Sequence, residues 1–419
     1  MKIRFFAFIA SLALLVGIAA CAPPSPGQVD TQATTFSAVE SETPEPATQD
    51  VPLEATATAT EGVIPSESEP APTAEDQAPG SANVGPDAAN VPAGYNPLTG
   101  LPVADPSALD LPAVLISITN FPPSARPQSG LSFSPWVFEM YIAEGMTRYL
   151  AAFYGDLPHE GSSQSTLGHV GPVRSGRLPY IHLRDAFQNS CLVYAGATYQ
   201  VREKLRGCAS VFGDDSTDVN SAMLDVTRMR KIAEENKRPT DQFNYSGNLF
   251  TSAPTAQGLP ASLINVFYSF LNQSQWQFDA ASGKYLKFED FADGSGKFHP
   301  ATDRLTGEQL AYSNVIVLYA EHTTLDPYII DINMAAGQKG RAVVFRDGQR
   351  FDAVWTTTNG EYEQSTGLRR PIRIVDAQGQ PFALKPGQSW VHIVTTPSEV
   401  SDKGNGSWMV RFYAPPGAK

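Results

Sequence analysis

The sequence predicts an α+β protein, with a mixed α/β N-terminal domain followed by a mainly β C-terminal domain. Between residues 113 and 237, strand-like runs such as AVLISITN alternate irregularly with short segments whose apolar residues have helical spacing. From about residue 255, runs rich in aromatic and β-branched residues are bounded by Gly, Asp and Asn, which is typical of β-structure. Because strands and helices do not alternate strictly, the pattern favours α+β over a doubly wound sheet.

The N-terminus, residues 1–20, has the pattern of a lipoprotein signal peptide. Lys2 and Arg4 precede an apolar run of about a dozen residues that ends in small residues, too short for a membrane span. The segment Ile18-Ala19-Ala20-Cys21 resembles a bacterial lipobox. We therefore expect a lipid on Cys21 that anchors the chain to the extracytoplasmic face of the cell membrane. An ordinary export signal that happens to contain a Cys is the alternative.

Residues 21–92 are predicted to form an acidic, disordered tether. Ala, Thr, Pro, Ser and Glu recur loosely, as in VPLEATATATEGVIPSESEP, without a period of 2 or 3.6. Such a stretch buries too little apolar area to offset the entropy lost on ordering. From Cys21 to Ala125 there are 14 acidic residues and no Lys or Arg. The charge of the chain is therefore concentrated in the tether, and the folded part is close to neutral.

The N-terminal domain is predicted to span residues 93–250. Two strands, Trp136–Gly145 and Arg148–Gly155, are joined by a Gly-containing turn and predict a hairpin. Further strands are expected at Ala113–Asn120 and in the run CLVYAG that begins at Cys191. Helices are expected at Pro179–Asn189, in TYQVREKLRG, which ends at Gly207, and at Thr227–Lys237.

The C-terminal domain is predicted to span residues 251–400, with a last strand and tail at 401–419. The segment FRDGQRF predicts a tight hairpin with Asp347 and Gly348 at its turn, and DAQGQPF predicts a second around Gly379. Cys191 and Cys208 are 17 residues apart and form a plausible disulfide in an exported protein. Alternatively, Cys191 is a core thiol. Neither Cys has a neighbouring His pair, so no metal site is expected.

Polar residues with a chemical role are concentrated between residues 120 and 177. Strand alternation places Glu139 on the same face as Val137 and Tyr141, so this carboxylate is expected to be buried and to need a partner. Arginines on the flanking loops and the next strand are the expected partners, because a guanidinium binds a carboxylate in two places. The candidate ligand-binding residues are Asn120, Arg126, Gln128, Glu139, Glu144, Arg148, Arg174, Ser175 and Arg177.

Two interpretations of this group stay open. One is a pocket of Arg and amide donors for an anionic or sugar ligand, in which GPVRSGR forms an anion-binding turn. The other is an internal Arg–Glu network that fixes the loops. GPVRSGR lacks the Lys-Ser/Thr pair of a phosphate-binding P-loop, and the folded part has no excess of basic residues, which argues against nucleotide and nucleic-acid binding.

The sequence contains no strong catalytic motif. No two of the six His residues have a metal-binding spacing, and there is no HExxH, GxSxG or SxxK motif. His159, His169, Ser163 and Ser165 lie in a polar loop that solvent exposure explains equally well. Glu139 and Glu144 could act as a glycosidase pair only if the strand bends near Gly145. No cofactor is expected.

Three segments resemble the YerB-like bacterial lipoproteins, a two-domain family of unknown function. They are NPLTGLPV, the run from PAVLISITN to RYLAAFYG that includes ARPQSGL, and GPVRSGRLPYIHL. The segments SNVIVLYAEH, VVFRDGQRFDAVWTT and QSWVHIV are similar to the C-terminal domain of that family. The resemblance covers residues 94–397 and departs at Gly176, where the family usually has Ala. It implies an exported two-domain lipoprotein and assigns no role to any residue.

Three functions follow as hypotheses. The first is a non-catalytic binding or scaffolding lipoprotein for an anionic or cell-wall ligand. The second is a cell-wall or glycan hydrolase that uses Glu139 or Glu144, and the third is a structural adaptor whose β domain binds a protein partner. The first is preferred because Arg residues are dense in a region that lacks a paired nucleophile and base.

Overall fold

The protein is mostly β. The structure is a computed structural model that describes residues 83–158, 168–215, 217–218, 220–239 and 243–419. The predicted signal peptide, Cys21, nearly all of the tether and the loop that holds His159, Ser163 and Ser165 lie outside these residues. No helix in the described ranges is long and apolar enough to cross a bilayer. The α-helices described are α1 (Tyr180–Ala186), α2 (Tyr199–Leu205), α3 (Val226–Glu235) and α4 (Glu361–Thr366).

The strands of the described residues follow in chain order. They are β1 (Tyr95–Asn96), β2 (Leu101–Pro102), β3 (Val114–Thr119), β4 (Trp136–Ala143), β5 (Met146–Phe153), β6 (His169–Val170), β7 (Cys191–Tyr194), β8 (Ala209–Ser210), β9 (Leu224–Asp225), β10 (Leu249–Phe250), β11 (Leu259–Pro260), β12 (Leu263–Ser269), β13 (Asn272–Asp279), β14 (Lys284–Asp290), β15 (Phe298–Pro300), β16 (Ala311–Tyr312), β17 (Asn314–Ala320), β18 (His322–Asp326), β19 (Ile329–Ile332), β20 (Lys339–Arg346), β21 (Gln349–Thr356), β22 (Arg373–Val375), β23 (Ala383–Leu384), β24 (Ser389–Thr395), β25 (Glu399–Gly404) and β26 (Ser407–Arg411).

An 11-stranded main sheet organises the molecule. Its order is β11-β21-β20-β17-β24-β4-β5-β3-β7-β8, with β22 beside β21. β24 lies parallel to both β17 and β4, and therefore joins strands from the two halves of the chain. At the other end, β3 and β7 form a second parallel pair. The strands near the centre, such as β3 and β4, are buried along their whole length, as expected for a sheet covered on both faces.

The two faces of the main sheet pack against different partners. One face shares a hydrophobic core with the second sheet, whose order is β15-β14-β13-β12-β26-β25 with β16 beside β14. The other face packs against α1, α2 and the segment around Tyr245. Val137 and Tyr141 of β4 point to the first core, and Trp136 and Phe138 point to the second. This alternation is the one that the sequence predicts.

The local predictions are confirmed at the level of single elements. β3, β4, β5 and β7 form where the sequence predicts strands, and the three predicted helices correspond to α1, α2 and α3. β20 and β21 form the predicted hairpin, in which Asp347 and Gly348 both have positive φ, as a type I′ turn requires. The mixed α/β character of a separate N-terminal domain stays a prediction, because the strands of that half belong to a sheet shared with the C-terminal half.

Cys191 and Cys208 form the predicted disulfide. It ties the first residue of β7 to the segment that leads into β8, with the two Cα atoms 5.3 Å apart. The disulfide excludes the alternative in which Cys191 is a free core thiol. A crosslink of this spacing stabilises the fold by about 3 kcal/mol, chiefly by restricting the unfolded chain.

Candidate functional site

The structure divides most of the predicted site residues between the two faces of the main sheet. Asn120, Arg126 and Glu139 lie on the face that packs against the second sheet, where they join one internal network of hydrogen bonds. Arg148 and Arg177 meet at the carbonyl of Ser175, near α1. The single predicted pocket is therefore two separate sites.

The internal network accounts for Arg126. Its Nε donates to the carbonyl oxygen of Asn120 at 3.1 Å, and its Nη1 donates to the carbonyl oxygen of Asp290 at 2.7 Å. The Arg126 side chain is 5% exposed and forms ion pairs with Glu289 and Asp290, at 3.5 and 3.2 Å. This part of the group matches the alternative interpretation, in which Arg and carboxylates stabilise one another inside the protein.

Glu139 belongs to the same network and is almost completely buried. Its carboxylate accepts hydrogen bonds from Thr147 Oγ1 at 2.8 Å and Trp390 Nε1 at 3.1 Å, and His392 Nδ1 lies 3.3 Å away. Burial raises the pKa of Glu139, and the nearby Lys287 ammonium acts in the opposite direction. Its closest partners are thus not the predicted arginines but residues contributed by β5 and β24, because β24 pairs directly with β4.

The surroundings of the two glutamates do not favour the glycan-hydrolase hypothesis. Glu139 is 1% exposed, so substrate cannot reach it without rearrangement. Glu144 is exposed on the turn after β4, with φ at +54°, and its backbone N–H donates to the carbonyl of Lys419. Gln128, also predicted as a ligand residue, is buried and donates to the carbonyl of Thr119 at 3.1 Å.

The second site is an arginine cluster, which we define as Arg148, Arg174 and Arg177. Nη1 of Arg148 donates to the Ser175 carbonyl at 3.1 Å, and Nη1 of Arg177 donates to the Gly176 carbonyl at 3.0 Å and to the Ser175 carbonyl at 3.4 Å. The Nε atoms of Arg148 and Arg177 are buried without a hydrogen-bond partner. No carboxylate forms an ion pair with either guanidinium in the part of the chain that the structure describes.

Burial and mutual repulsion determine the electrostatics of the arginine cluster. Burial, together with the charges of Arg177 and Arg174, lowers the pKa of Arg148 to about 9. Burial also lowers the pKa values of Arg177 and Arg174. The buried hydroxyl of Tyr180 lies beside the cluster and hydrogen-bonds to Ser117 Oγ at 3.2 Å. Confined positive charge of this kind favours a bound anion.

The backbone explains how GPVRSGR positions the cluster. The N–H of Arg174 donates to the Ser117 carbonyl, and the Arg174 carbonyl accepts from Ala195, so this segment lies between the carboxyl ends of β3 and β7. In many open sheets, ligands bind at the carboxyl ends of parallel strands. Gly176 packs closely against α2, and a Cβ there would lie 2.2 Å from Leu205 Cδ1, so an Ala at this position would require the Leu205 side chain to move.

The sequence interpretation missed the partners that come from distant segments. The internal network is completed by Trp390, His392, Lys287, Glu289 and Asp290, which lie about 140 to 270 residues from its N-terminal members. Each is an ordinary strand residue by local pattern, and no sequence signal marked them. Within the described ranges, no group of three or more His, Cys, Asp or Glu side chains could hold a metal ion.

Fold and site together define a mostly β protein whose two halves share one sheet, with a buried polar network and a separate arginine cluster. Comparison with known proteins gives this architecture a family. Residues 98–256 match the N-terminal domain, and residues 264–391 the C-terminal domain, of the family described as "Protein of unknown function (DUF3048)". The chain belongs to this family, which includes the YerB-like lipoproteins.

Two comparisons lead to the same Bacillus subtilis protein. The chain is 27% identical over 326 residues to "Putative lipoprotein YerB" of Bacillus subtilis (strain 168), an alignment that covers 74% of this chain and 89% of the relative. The crystal structure of YerB from Bacillus subtilis superposes with a TM-score of 0.56 and 25% identity, covering 72% of this chain and 96% of YerB. Sequence and fold are therefore both similar along most of the two-domain region.

Proposed function

We propose that the protein is a lipid-anchored binding module of the cell envelope whose arginine cluster holds an anionic group of its ligand. One observation carries the proposal. Arg148 and Arg177 share a single backbone carbonyl as acceptor, keep buried Nε donors without partners, and have no carboxylate among the described residues to neutralise them. An unpaired buried charge is costly, and an external oxyanion would supply both the missing acceptors and the missing charge.

The geometry favours an anion at the cluster over a neutral ligand. Within the described residues, the hydrogen bonds of Arg148 and Arg177 use Nη1 and end at backbone carbonyls, so no described acid competes with a ligand for these guanidinium groups. Arg148 is buried, and Arg177 is partly exposed. Charge-assisted bonds contribute about 1.5–3 kcal/mol each, enough for two of them to give measurable affinity.

The proposal is tested by titrating the folded protein with inorganic phosphate and with purified anionic wall polymer, using calorimetry. We expect heat of binding at pH 7.5 that weakens as the pH rises toward about 9, where half of the Arg148 side chains have lost their proton. R177Q should weaken binding about tenfold or more, because one charge-assisted donor pair is lost. R177K, which keeps the charge but not the planar fork, should lie between R177Q and wild type.

The matched control is R230Q, because Arg230 is a half-exposed arginine on α3 whose closest acid is Glu234 at 3.9 Å. It should bind as tightly as wild type. Equal affinities of R177Q and R230Q, or no heat with either probe, would refute the anion site. An unchanged melting profile for R177Q in the absence of ligand would show that the loss of binding is not a loss of folding.

The anchor is proposed on separate grounds. Cys21 follows Ile18-Ala19-Ala20, as in a lipobox, and the relative from Bacillus subtilis carries the name of a lipoprotein. We place the folded part on the extracytoplasmic face of the cell membrane, where the Cys191–Cys208 disulfide would be maintained. In cell fractionation, wild type should enter the membrane fraction and C21S the soluble exported fraction. Membrane retention of C21S would refute lipid anchoring.

A further inference from the structure

A second cavity lies where the loop containing Arg126 meets β14 and β15 of the second sheet. Its volume is about 280 Å³, and Arg126, Glu289, Asp290, Phe291 and His299 line it together with three prolines. Pockets for drug-sized ligands begin at roughly 300 Å³, so this one fits a single small ring. It is built from residues on the second-sheet side of the main sheet and shares none with the arginine cluster.

The cavity is lined by one guanidinium and two carboxylates whose hydrogen-bonding atoms are not all used within the described chain. Arg126 uses Nε and Nη1 on Asn120 and Asp290, whereas its Nη2 forms no hydrogen bond within the described chain. Glu289 Oε2 lies 3.5 Å from Arg126 Nε and 3.8 Å from Lys287 Nζ, and this oxygen and Asp290 Oδ2 are buried without a hydrogen-bond partner. The side chains of Arg126 and Glu289 are more than nine-tenths buried.

The walls of the cavity are formed by side chains that contain rings, chiefly Phe291, His299 and the prolines. Phe291 follows β14 and is 49% exposed, with its ring centroid 4.7 Å from that of His299. His299 Nδ1 lies 3.1 Å from the carbonyl of Pro300, which fixes the imidazole against the strand. An aromatic ring with a few convergent polar groups is the usual construction of a small-ligand site. What distinguishes Phe291 from other exposed aromatic side chains is its position beside the buried charged groups of the cavity.

We propose that this cavity binds one pyranose ring of a neutral sugar. The apolar C–H face of the sugar packs on Phe291 and the prolines. Adjacent hydroxyls, each both donor and acceptor, donate to the carboxylates of Glu289 and Asp290 and accept from the guanidinium of Arg126. A ligand carboxylate or phosphate would be repelled by Glu289 and Asp290, which already neutralise Arg126. An ammonium group gains little, because those two acids are shared with Arg126 and Lys287.

The test is saturation-transfer NMR on the full chain with N-acetylglucosamine and glucose, and with glycine and inorganic phosphate as zwitterionic and anionic comparisons. We expect transfer to ring protons of at least one sugar, and no competition by glycine or phosphate. F291A should weaken sugar binding about tenfold through loss of stacking. E289Q should weaken it as well, because the carboxylate acceptor is replaced by an amide.

The matched control is F270A, since Phe270 is a 69% exposed phenylalanine on a different turn. It should bind sugar as wild type does. Binding of F291A that equals that of F270A, or no transfer to either sugar at high millimolar concentration, would overturn the proposal, as would displacement of the sugar by glycine. R177Q should keep sugar binding and F291A should keep phosphate binding, so that failure at this cavity is distinguishable from failure at the arginine cluster.

Discussion

His392 shows how single residues of the internal network fix one another's protonation. Trp276 Nε1 donates to His392 Nε2 at 3.0 Å, so the ring proton resides on Nδ1, which faces Glu139 Oε2 at 3.3 Å. Complete burial and the charge of Lys287 hold the pKa of His392 well below its usual range. We therefore expect the imidazole of His392 to be neutral at physiological pH.

This neutral state makes folding stability pH-dependent. The pKa of His392 in the folded protein lies below its value of about 6.5 in the unfolded chain. Below pH 6.5 the unfolded chain therefore binds a proton at this residue that the folded chain does not bind. Stability is therefore lost as pH falls, by up to about 1.4 kcal/mol per pH unit for one proton. In urea unfolding between pH 7.5 and 5, the free energy of unfolding should depend less steeply on pH in H392Q than in wild type. The difference should correspond to about one proton.

Two other groups with shifted pKa values are present in both wild type and H392Q. Glu139, whose pKa is raised by burial, is present in both proteins, and so is His322, whose pKa burial lowers to about 4. H322Q should independently reduce the pH dependence of the free energy of unfolding by a similar amount, because the pKa of each histidine is lowered in the folded state. Equal slopes for wild type and H392Q would contradict the neutral assignment of His392.

At the scale of elements, the hairpin of β20 and β21 shows what local sequence determines. The Asp347–Gly348 turn and the β-branched runs on either side identify both strands, and the structure confirms them. What the pattern does not reveal is why Gly340 is the second residue of β20. A Cβ at that position would lie 2.4 Å from the Tyr319 carbonyl and 2.5 Å from Trp355 Nε1. Trp355 donates to that same carbonyl at 2.8 Å.

We therefore expect G340A to destabilise the protein. The added methyl must displace backbone or break the buried Trp355–Tyr319 hydrogen bond, at a cost of about 2–4 kcal/mol. Chemical denaturation of G340A and wild type measures the difference, and K339A, an exposed change one residue earlier, serves as the control. A G340A variant as stable as K339A would show that the strand relaxes around the methyl at little cost.

At the scale of the whole molecule, the sequence predicts the parts but not their assembly. Hydrophobic period and turn residues locate β3, β4 and β24, because these signals act within a few residues. The placement of β24 between β17 and β4 leaves no local trace, since its partner strand begins more than 250 residues earlier. For the same reason Arg126 could be predicted as a site residue, whereas its pairing with Glu289 and Asp290 could not.

The shared sheet predicts that the two family domains do not fold separately. In a fragment of residues 83–256, β4 would lose β24 and present an unpaired edge, and Glu139 would lose the Trp390 N–H that stabilises its carboxylate. We expect this fragment alone to lack a cooperative unfolding transition by circular dichroism. Co-expression with residues 257–419 should restore a one-to-one complex that unfolds cooperatively, as the full chain does. Cooperative unfolding of the isolated fragment would instead mean that β4 tolerates an open edge, and that the sheet joins two independent domains.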